Sequence, residues 1–323
     1  MIAGPRWTLR LAAIVLALTA TACAPAGAIT PPDAAVAPEA RAPIALAPGE
    51  RLQVLATTSI VANVVAAVGS ERVDVTALVP RGVDPHAFEP TPQDVRQVAE
   101  AQVVFENGLG LEAFLGDLVR NAGTGAPVIS VSAGINPLPA GADAEHGAWD
   151  PHTWLDPQNV IAWTRTIEAS LAALDPQGAA AYARNAQNYR VELEALDAEV
   201  ETRLAGIPEA QRTLVTDHEE FAYFARRYGF TIIGTVIPAP SAAAEPSAQE
   251  LAALESAIRT TGVRAVFVSS VVSPALARQV ADDTGVQLVT LYAHSLSDAD
   301  GPAPSYVEMM RLNAGLIAEA LSR

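Results

Sequence analysis

Short β-rich runs alternate with helical patterns twice along this chain, and this repeated alternation constrains the fold more than any other feature. In the first series we predict strands over residues 52–56, 73–79, 102–105 and 128–131, with helices over 60–68, 91–99 and 111–121. In the second series the predicted strands are 213–216, 231–236, 265–269 and 287–291, with helices over 221–227, 248–259, 274–283 and 306–321. Such alternation favours parallel sheets with right-handed crossovers. We therefore expect an α/β fold of two lobes, each with a parallel sheet flanked by helices.

A long helical pattern separates the two series. Over residues 179–205, apolar or aromatic side chains recur at Tyr182, Tyr189, Leu193 and Val200. At about 1.5 Å per residue, a helix of this length spans roughly 40 Å, which is comparable with a small domain. We predict one linker helix within residues 176–206, between an N-terminal lobe at 51–175 and a C-terminal lobe at 207–323.

The N-terminus has the features of an export signal. Arg6 and Arg10 precede an apolar run over residues 11–18, which is too short to span a bilayer, and small residues then lead to Cys23, the only cysteine. We predict a lipoprotein signal peptide over residues 1–22 with lipid attachment at Cys23; the alternative is a plain secretory signal with an incidental cysteine. Residues 23–50 are rich in Ala and Pro and suit a tether, with a random-coil reach of roughly 30 Å. The folded part would then be exported and lipid-anchored to the outer face of the bacterial cytoplasmic membrane.

Charge and composition exclude several classes of function. Twenty basic and thirty-six acidic residues give a formal net charge of -16, which argues against nucleic-acid binding. All the basic residues are arginines, so a Schiff-base lysine and a phosphate-loop lysine are both absent. With one cysteine near the N-terminus, neither a disulfide framework nor a thiolate metal site is available.

Four of the five histidines follow predicted strands and point to a metal site. His86 and His152 belong to the first series, while His218 and His294 belong to the second. Because the carboxyl ends of parallel strands open on one side, these imidazoles would meet in a cleft between the lobes. His86 and His152 both stand in the tripeptide Asp-Pro-His, whose proline stiffens the backbone. The alternative for each histidine is an ordinary satisfied polar residue, and for His218 a position at the start of a helix.

Four segments in order along the chain carry a family resemblance. They are DPHAFEPTP at residues 84–92, DPHTWLDP at 150–157, HEEFAYF at 218–224 and YVEMMRLN at 306–313. From about residue 52 to the C-terminus, the chain resembles the zinc/manganese (cluster A-I) solute-binding lipoproteins of bacterial ABC transporters. The resemblance implies two lobes joined by a long helix and one metal ion in the cleft, held by four ligands that we assign to His86, His152, His218 and His294.

Two departures from the family pattern bear on the metal. His294 stands where the family usually has an aspartate ligand, and Ser269 stands where a glutamate usually follows the strand. Three or four imidazoles suit Zn²⁺, Cu²⁺ or Ni²⁺ better than Mn²⁺, because a carboxylate charge and a hard oxygen donor are lost. We expect Zn²⁺, with Mn²⁺ as the alternative. A second alternative leaves His294 out of the site, with a water completing three histidines.

The expected function is the extracytoplasmic substrate-binding component of an ABC importer. The chain would bind a divalent transition metal, act as a monomer and deliver the ion to a separate membrane permease, since it contains neither a Walker motif nor a transmembrane span. The alternatives are a manganese-binding member or a surface adhesin of the same fold. A zinc metallohydrolase is disfavoured because no His-Glu-x-x-His helix is present. His146 lies in an acidic stretch that either recruits metal transiently or is a solvated loop.

Overall fold

The computed structural model describes residues 1–2, 4, 42–141, 148–238 and 245–322. Nearly all of the predicted signal peptide, Cys23, most of the predicted tether and His146 lie outside these residues. Among the described residues, no helix combines the length and apolar character needed to cross a membrane.

The first sheet has four parallel strands in the order β2-β1-β3-β4. Its elements are β1 (Leu52–Ala56), α1 (Ser59–Gly69), β2 (Val73–Ala77), α2 (Pro92–Glu100), β3 (Val103–Glu106), α3 (Leu115–Ala122) and β4 (Val128–Ser130). Helix α2 begins with a capping box. The Thr91 hydroxyl accepts the backbone N–H of Asp94, and the Asp94 carboxylate accepts the backbone N–H of Thr91. Because all four strands run parallel, their carboxyl ends lie on the same edge of the sheet.

In the described part of the connection between the sheets there are two α-helices, and only one of them was predicted. Helix α5 (Ala179–Ala205) has the bounds expected from the sequence. Helix α4 (Pro157–Leu174) was missed, because Pro157 was interpreted as part of a stiff segment around His152. Pro157 instead occupies the first helical turn, where its missing N–H costs nothing, and the Asp156 side chain caps that turn.

The second sheet repeats the arrangement of the first with the order β6-β5-β7-β8, again all parallel. Its elements are β5 (Thr213–Thr216), α6 (Ala222–Tyr228), β6 (Thr231–Thr235), α7 (Ala248–Thr261), β7 (Ala265–Ser269), α8 (Ala275–Thr284), β8 (Gln287–Leu291) and α9 (Tyr306–Ser322). Helices α6, α7 and α8 each end at a glycine with positive φ, a conformation that other residues adopt only under strain. The fold class predicted from the sequence is confirmed.

One hydrophobic core extends through both lobes. Val54 of β1, Leu214 of β5 and Leu193 of α5 belong to the same buried cluster. The neighbouring strand residues, Leu55 and Val215, face the other way and belong to smaller clusters behind each sheet, as the period of two along a strand requires. The linker helix is therefore part of the core that the two sheets share.

A buried carboxylate fixes the linker helix to both neighbouring helices. Asp197 of α5 is 3% exposed and accepts hydrogen bonds from Gln158 Nε2 of α4 at 2.6 Å and from Tyr228 Oη of α6 at 2.9 Å. Arg227 Nε donates to the same carboxylate at 3.0 Å. Burial by itself would raise the pKa of Asp197, but the hydrogen bonds from Arg227, Gln158 and Tyr228 together with the charge of Arg227 outweigh it, and the net pKa is lowered. The carboxylate is thus held ionised at the junction of three helices.

Candidate metal centre

The four strand-end histidines meet in one cluster between the two sheets. One ring nitrogen from each of His86, His152, His218 and His294 lies within 4.8 Å of every other. The Nε2 atoms of His86 and His152 are 3.0 Å apart. Four nitrogens bound at about 2.0–2.1 Å to one tetrahedral ion would lie about 3.3 Å apart. The cluster therefore has the dimensions of a single metal site.

The local backbone at the first two histidines is set by the Asp-Pro pairs that precede them. Asp84 Oδ1 accepts the backbone N–H of His86 at 2.9 Å, and Asp150 Oδ1 accepts that of His152 at 2.9 Å. The intervening proline has no N–H, so the aspartate caps the next available amide. The same turn at Asp156 starts helix α4 without a histidine. The Asp-Pro pair therefore builds a tight turn, and only the residue that follows makes it a candidate metal ligand.

Two carboxylates orient two of the imidazoles toward the centre. Asp150 Oδ1 lies 2.8 Å from His152 Nδ1, and Asp217 Oδ1 lies 2.9 Å from His218 Nδ1. In its ionised form a carboxylate only accepts hydrogen bonds, so each aspartate favours the tautomer with the proton on Nδ1 and Nε2 facing the cluster. His218 Nε2 is buried and has no hydrogen-bond partner among the described residues. Each of these rings is in the tautomer that a metal ligand requires.

His294 has a different environment from the other three. Its Nδ1 lies 3.2 Å from Ser269 Oγ and 3.2 Å from Glu220 Oε2. Ser269 stands where the family usually has a glutamate, and in this structure Glu220 supplies a carboxyl group from the loop that follows His218. The run of acidic residues beside His218, directly after a buried strand, was the available signal for both Asp217 and Glu220. The role of Glu220 could not be inferred from this run, because it depends on a contact with His294, which lies far away in the chain.

The site holds buried histidines neutral. Burial lowers the pKa of His152 and of His294 well below its usual range, and neighbouring histidines lower it further. Burial raises the pKa of Asp150 to about 7 and that of Glu220 well above its usual range. For Asp217 burial acts in the same direction, but the contacts with His218, the backbone N–H of Ser269 and the Glu220 side chain together outweigh it, and the net pKa is lowered. Neutral imidazoles are the form that binds metal.

Hydrogen bonds join the two lobes immediately around the histidines. Trp154 Nε1 donates to the backbone carbonyl of Ala293, so the loop after His152 holds the loop that carries His294. The Trp154 ring centroid lies 5.4 Å from that of His152 and 6.0 Å from that of His294, shielding both from solvent. Tyr223 Oη of α6 donates to the carbonyl oxygen of Asp150 at 2.8 Å. The ligand-bearing loops are therefore coupled across the cleft.

A second group of cross-lobe contacts lies on the side of His86. Ser59 Oγ, in the first turn of α1, accepts the backbone N–H of Leu296 at 3.0 Å. Ser295 Oγ accepts the N–H of Gly82 at 2.9 Å, and Arg81 donates to the carbonyl oxygen of Ser297. His86 is the only one of the four histidines that is not fully buried. The loop preceding it is thus held against the opposite lobe near the more open side of the site.

Sequence comparison places the chain in a family. The family described as "ZnuA: Zinc-uptake complex component A periplasmic" matches residues 54–320, which include both sheets and all four histidines. The chain belongs to this family. Within the ZnuA family its relatives differ in the metal that their names specify. The manganese-binding lipoprotein MntA of Halalkalibacterium halodurans is 33% identical over 85% of this chain and 90% of its own length. The iron ABC transporter substrate-binding lipoprotein MtsA of Streptococcus pyogenes is 30% identical over 99% of this chain and 100% of its own length.

Solved structures similar to this ZnuA-family chain have the same two-lobe fold. The periplasmic zinc-binding protein TroA from Treponema pallidum superposes with a TM-score of 0.78 at 28% identity, covering 85% of this chain and 100% of its own. A manganese-bound periplasmic metal-binding protein from Candidatus Liberibacter asiaticus superposes with a TM-score of 0.76 at 28% identity, covering 84% of this chain and 100% of its own. The fold is shared among proteins named for different metals, so the identity of the ion must depend on the ligands of each chain.

Proposed function

We propose that this chain captures Zn²⁺ through Nε2 of His86, His152, His218 and His294. It is a substrate-binding protein of a metal ABC transporter and not an enzyme. The observation that supports the ligand set is the convergence of four imidazoles, of which two have Nδ1 held by a carboxylate. Four nitrogen donors in a closed, buried cluster favour Zn²⁺ over Mn²⁺, which prefers carboxylate and other oxygen ligands.

We further propose how the protein is arranged at the membrane. Residues 1–22 would be removed as a signal peptide, Cys23 would carry a lipid, and residues 23–50 would tether a monomeric two-lobe body to the outer face of the cytoplasmic membrane. The relatives MntA and MtsA, which are named lipoproteins, support this arrangement. The ion would pass from the cleft to a cognate membrane permease.

Metal analysis and competition titration test the choice of ion. Protein purified from its host should contain zinc, and zinc should outcompete manganese in a chelator-competition titration. In His294→Asp, the ratio of zinc affinity to manganese affinity should fall at least about tenfold, because a charged oxygen donor replaces an imidazole. His294→Asn is the matched control, since it has the same size as aspartate without the charge, and it should weaken both metals without favouring manganese. A wild-type protein that prefers manganese would contradict the zinc assignment.

Uptake in the host tests delivery to a permease. Cells that lack the chain should take up less radioactive zinc from a zinc-limited medium, and the wild-type gene should restore uptake. His152→Ala should fail to restore it although the protein is exported, whereas Cys23→Ser should release the protein from the membrane fraction. Normal uptake without the chain would exclude the transport role.

A further inference from the structure

His294 differs from its partners in what stands behind its ring. His152 and His218 each point Nδ1 at an aspartate oxygen within hydrogen-bond geometry, whereas the hydrogen-bond partner of His294 Nδ1 is the hydroxyl of Ser269 at 3.2 Å. A serine hydroxyl either donates or accepts. If it donates to Nδ1, the ring proton is on Nε2, and that nitrogen has no lone pair for a metal ion. Ser269 alone therefore does not make His294 a ligand.

Glu220 is the other group in contact with this nitrogen. Its Oε2 lies 3.2 Å from His294 Nδ1, and the side chain is 1% exposed. The angle of this contact falls outside hydrogen-bond geometry, and Oε2 has no other hydrogen-bond partner among the described residues. A fully buried carboxylate oxygen without a partner is costly unless it has a role. A small rotation of either side chain would convert the contact into a hydrogen bond from His294 Nδ1–H to Glu220 Oε2.

We propose that Glu220 is the positioning residue that makes His294 a metal ligand, because it accepts a hydrogen bond from Nδ1–H, keeps the ring proton on Nδ1 and leaves Nε2 free for the ion. This rests on the proposed function, and it assigns to Glu220 the part that Asp150 and Asp217 play for the other two buried imidazoles. His152, His218 and His294 would then each have a carboxylate behind the ring. These carboxyl groups also lie beside the positive charge that a divalent cation bound by four neutral imidazoles would bring into a buried site.

Three variants separate this role from simple packing. In Glu220→Ala, Nδ1 keeps only the serine, and zinc affinity should fall about 10- to 100-fold, the usual effect of losing such a partner. Glu220→Gln retains a carbonyl oxygen that can accept a hydrogen bond from Nδ1. On a logarithmic scale, it should recover at least half of the zinc affinity that Glu220→Ala loses. Ser269→Ala removes the hydroxyl and leaves the carboxylate, and its zinc affinity should stay within about threefold of wild type. Circular dichroism and thermal unfolding of the metal-free proteins check that each variant is folded.

Nitrogen-15 NMR of the imidazole gives a readout that a packing role would not change. In the metal-free wild-type protein His294 should be protonated on Nδ1, and in Glu220→Ala the proton should shift toward Nε2 as Ser269 becomes the donor. Unchanged zinc affinity and an unchanged tautomer in Glu220→Ala would overturn the proposal. So would a glutamine variant that binds no better than the alanine variant. If the wild-type protein does not bind zinc, the proposed function fails first, and the two failures are therefore distinguishable.

Discussion

We expect Asp150→Asn to weaken zinc binding about 5- to 12-fold at pH 8 while leaving the fold intact. Asp150 Oδ1 accepts both the backbone N–H of His152 at 2.9 Å and its ring Nδ1–H at 2.8 Å. Asparagine keeps an oxygen at this position, so both hydrogen bonds persist and only the charge is lost. A hydrogen bond to a charged group contributes about 1.5–3 kcal/mol and a neutral one about 0.5–1.5 kcal/mol. The difference of about 1–1.5 kcal/mol lowers the free energy gained on zinc binding, because the bound metal increases the positive charge of the ring.

The pH dependence of this effect follows from the buried carboxyl. Burial raises the pKa of Asp150 to about 7, so the wild-type group is ionised at pH 8. As the pH falls through 7 the wild-type carboxyl becomes neutral as well, and its advantage over asparagine should shrink. Competition titrations with a chromophoric chelator at pH 8 and pH 6 measure both affinities.

Asp156→Asn is the matched control for this comparison. Asp156 is also a buried aspartate before a proline, and its Oδ1 accepts the backbone N–H of Gln158 at 2.9 Å. Among the described residues, no ion pair or hydrogen bond joins it to a histidine, so this variant should change zinc affinity less than about twofold. Equal affinities of Asp150→Asn and wild type at pH 8, or equal losses in the two variants, would refute the reasoning.

Three further predictions concern proton competition, the linker helix and the cross-lobe contact. Zinc affinity should fall between pH 7 and pH 5, because protons compete with the metal for the imidazoles. The number of protons released per zinc bound should stay below four, since the lowered pKa keeps His152 and His294 neutral. A zinc titration at several pH values contradicts this if the affinity is constant or if four protons are released. Asp197→Ala should lower the free energy of unfolding by about 1–3 kcal/mol, because it removes the acceptor shared by Gln158, Arg227 and the buried Tyr228 hydroxyl. Urea unfolding that shows a loss below about 0.5 kcal/mol would be inconsistent with the network. Trp154→Phe should raise the zinc dissociation rate about fivefold, because it removes the hydrogen bond to Ala293, which contributes about 1 kcal/mol. Stopped-flow chelation measures this rate, and an unchanged rate would show that the hydrogen bond does not hold the site closed.

Elements with a strong local period were predictable from the sequence. Strands β1, β5, β7 and β8 and helix α5 have the predicted bounds, because alternation or helical spacing is visible within each segment. Helix α4 was missed although Trp163, Ile167, Leu171 and Leu174 recur at helical spacing. Pro157 was assigned to the stiff segment around His152, whereas a proline in a first turn is fully compatible with a helix.

The candidate site divides in the same way. The sequence by itself determined the fold class, the two lobes and the four histidines, because ligand loops follow the ends of parallel strands and the Asp-Pro turns are local. Only the tertiary structure placed Glu220 beside His294 and joined Trp154 to Ala293, which is 139 residues further along the chain. Contacts of this kind depend on strand order and on the shared core around α5. Neither leaves a periodic pattern in the residues concerned, so the environment that decides whether His294 binds metal could be found only in the folded protein.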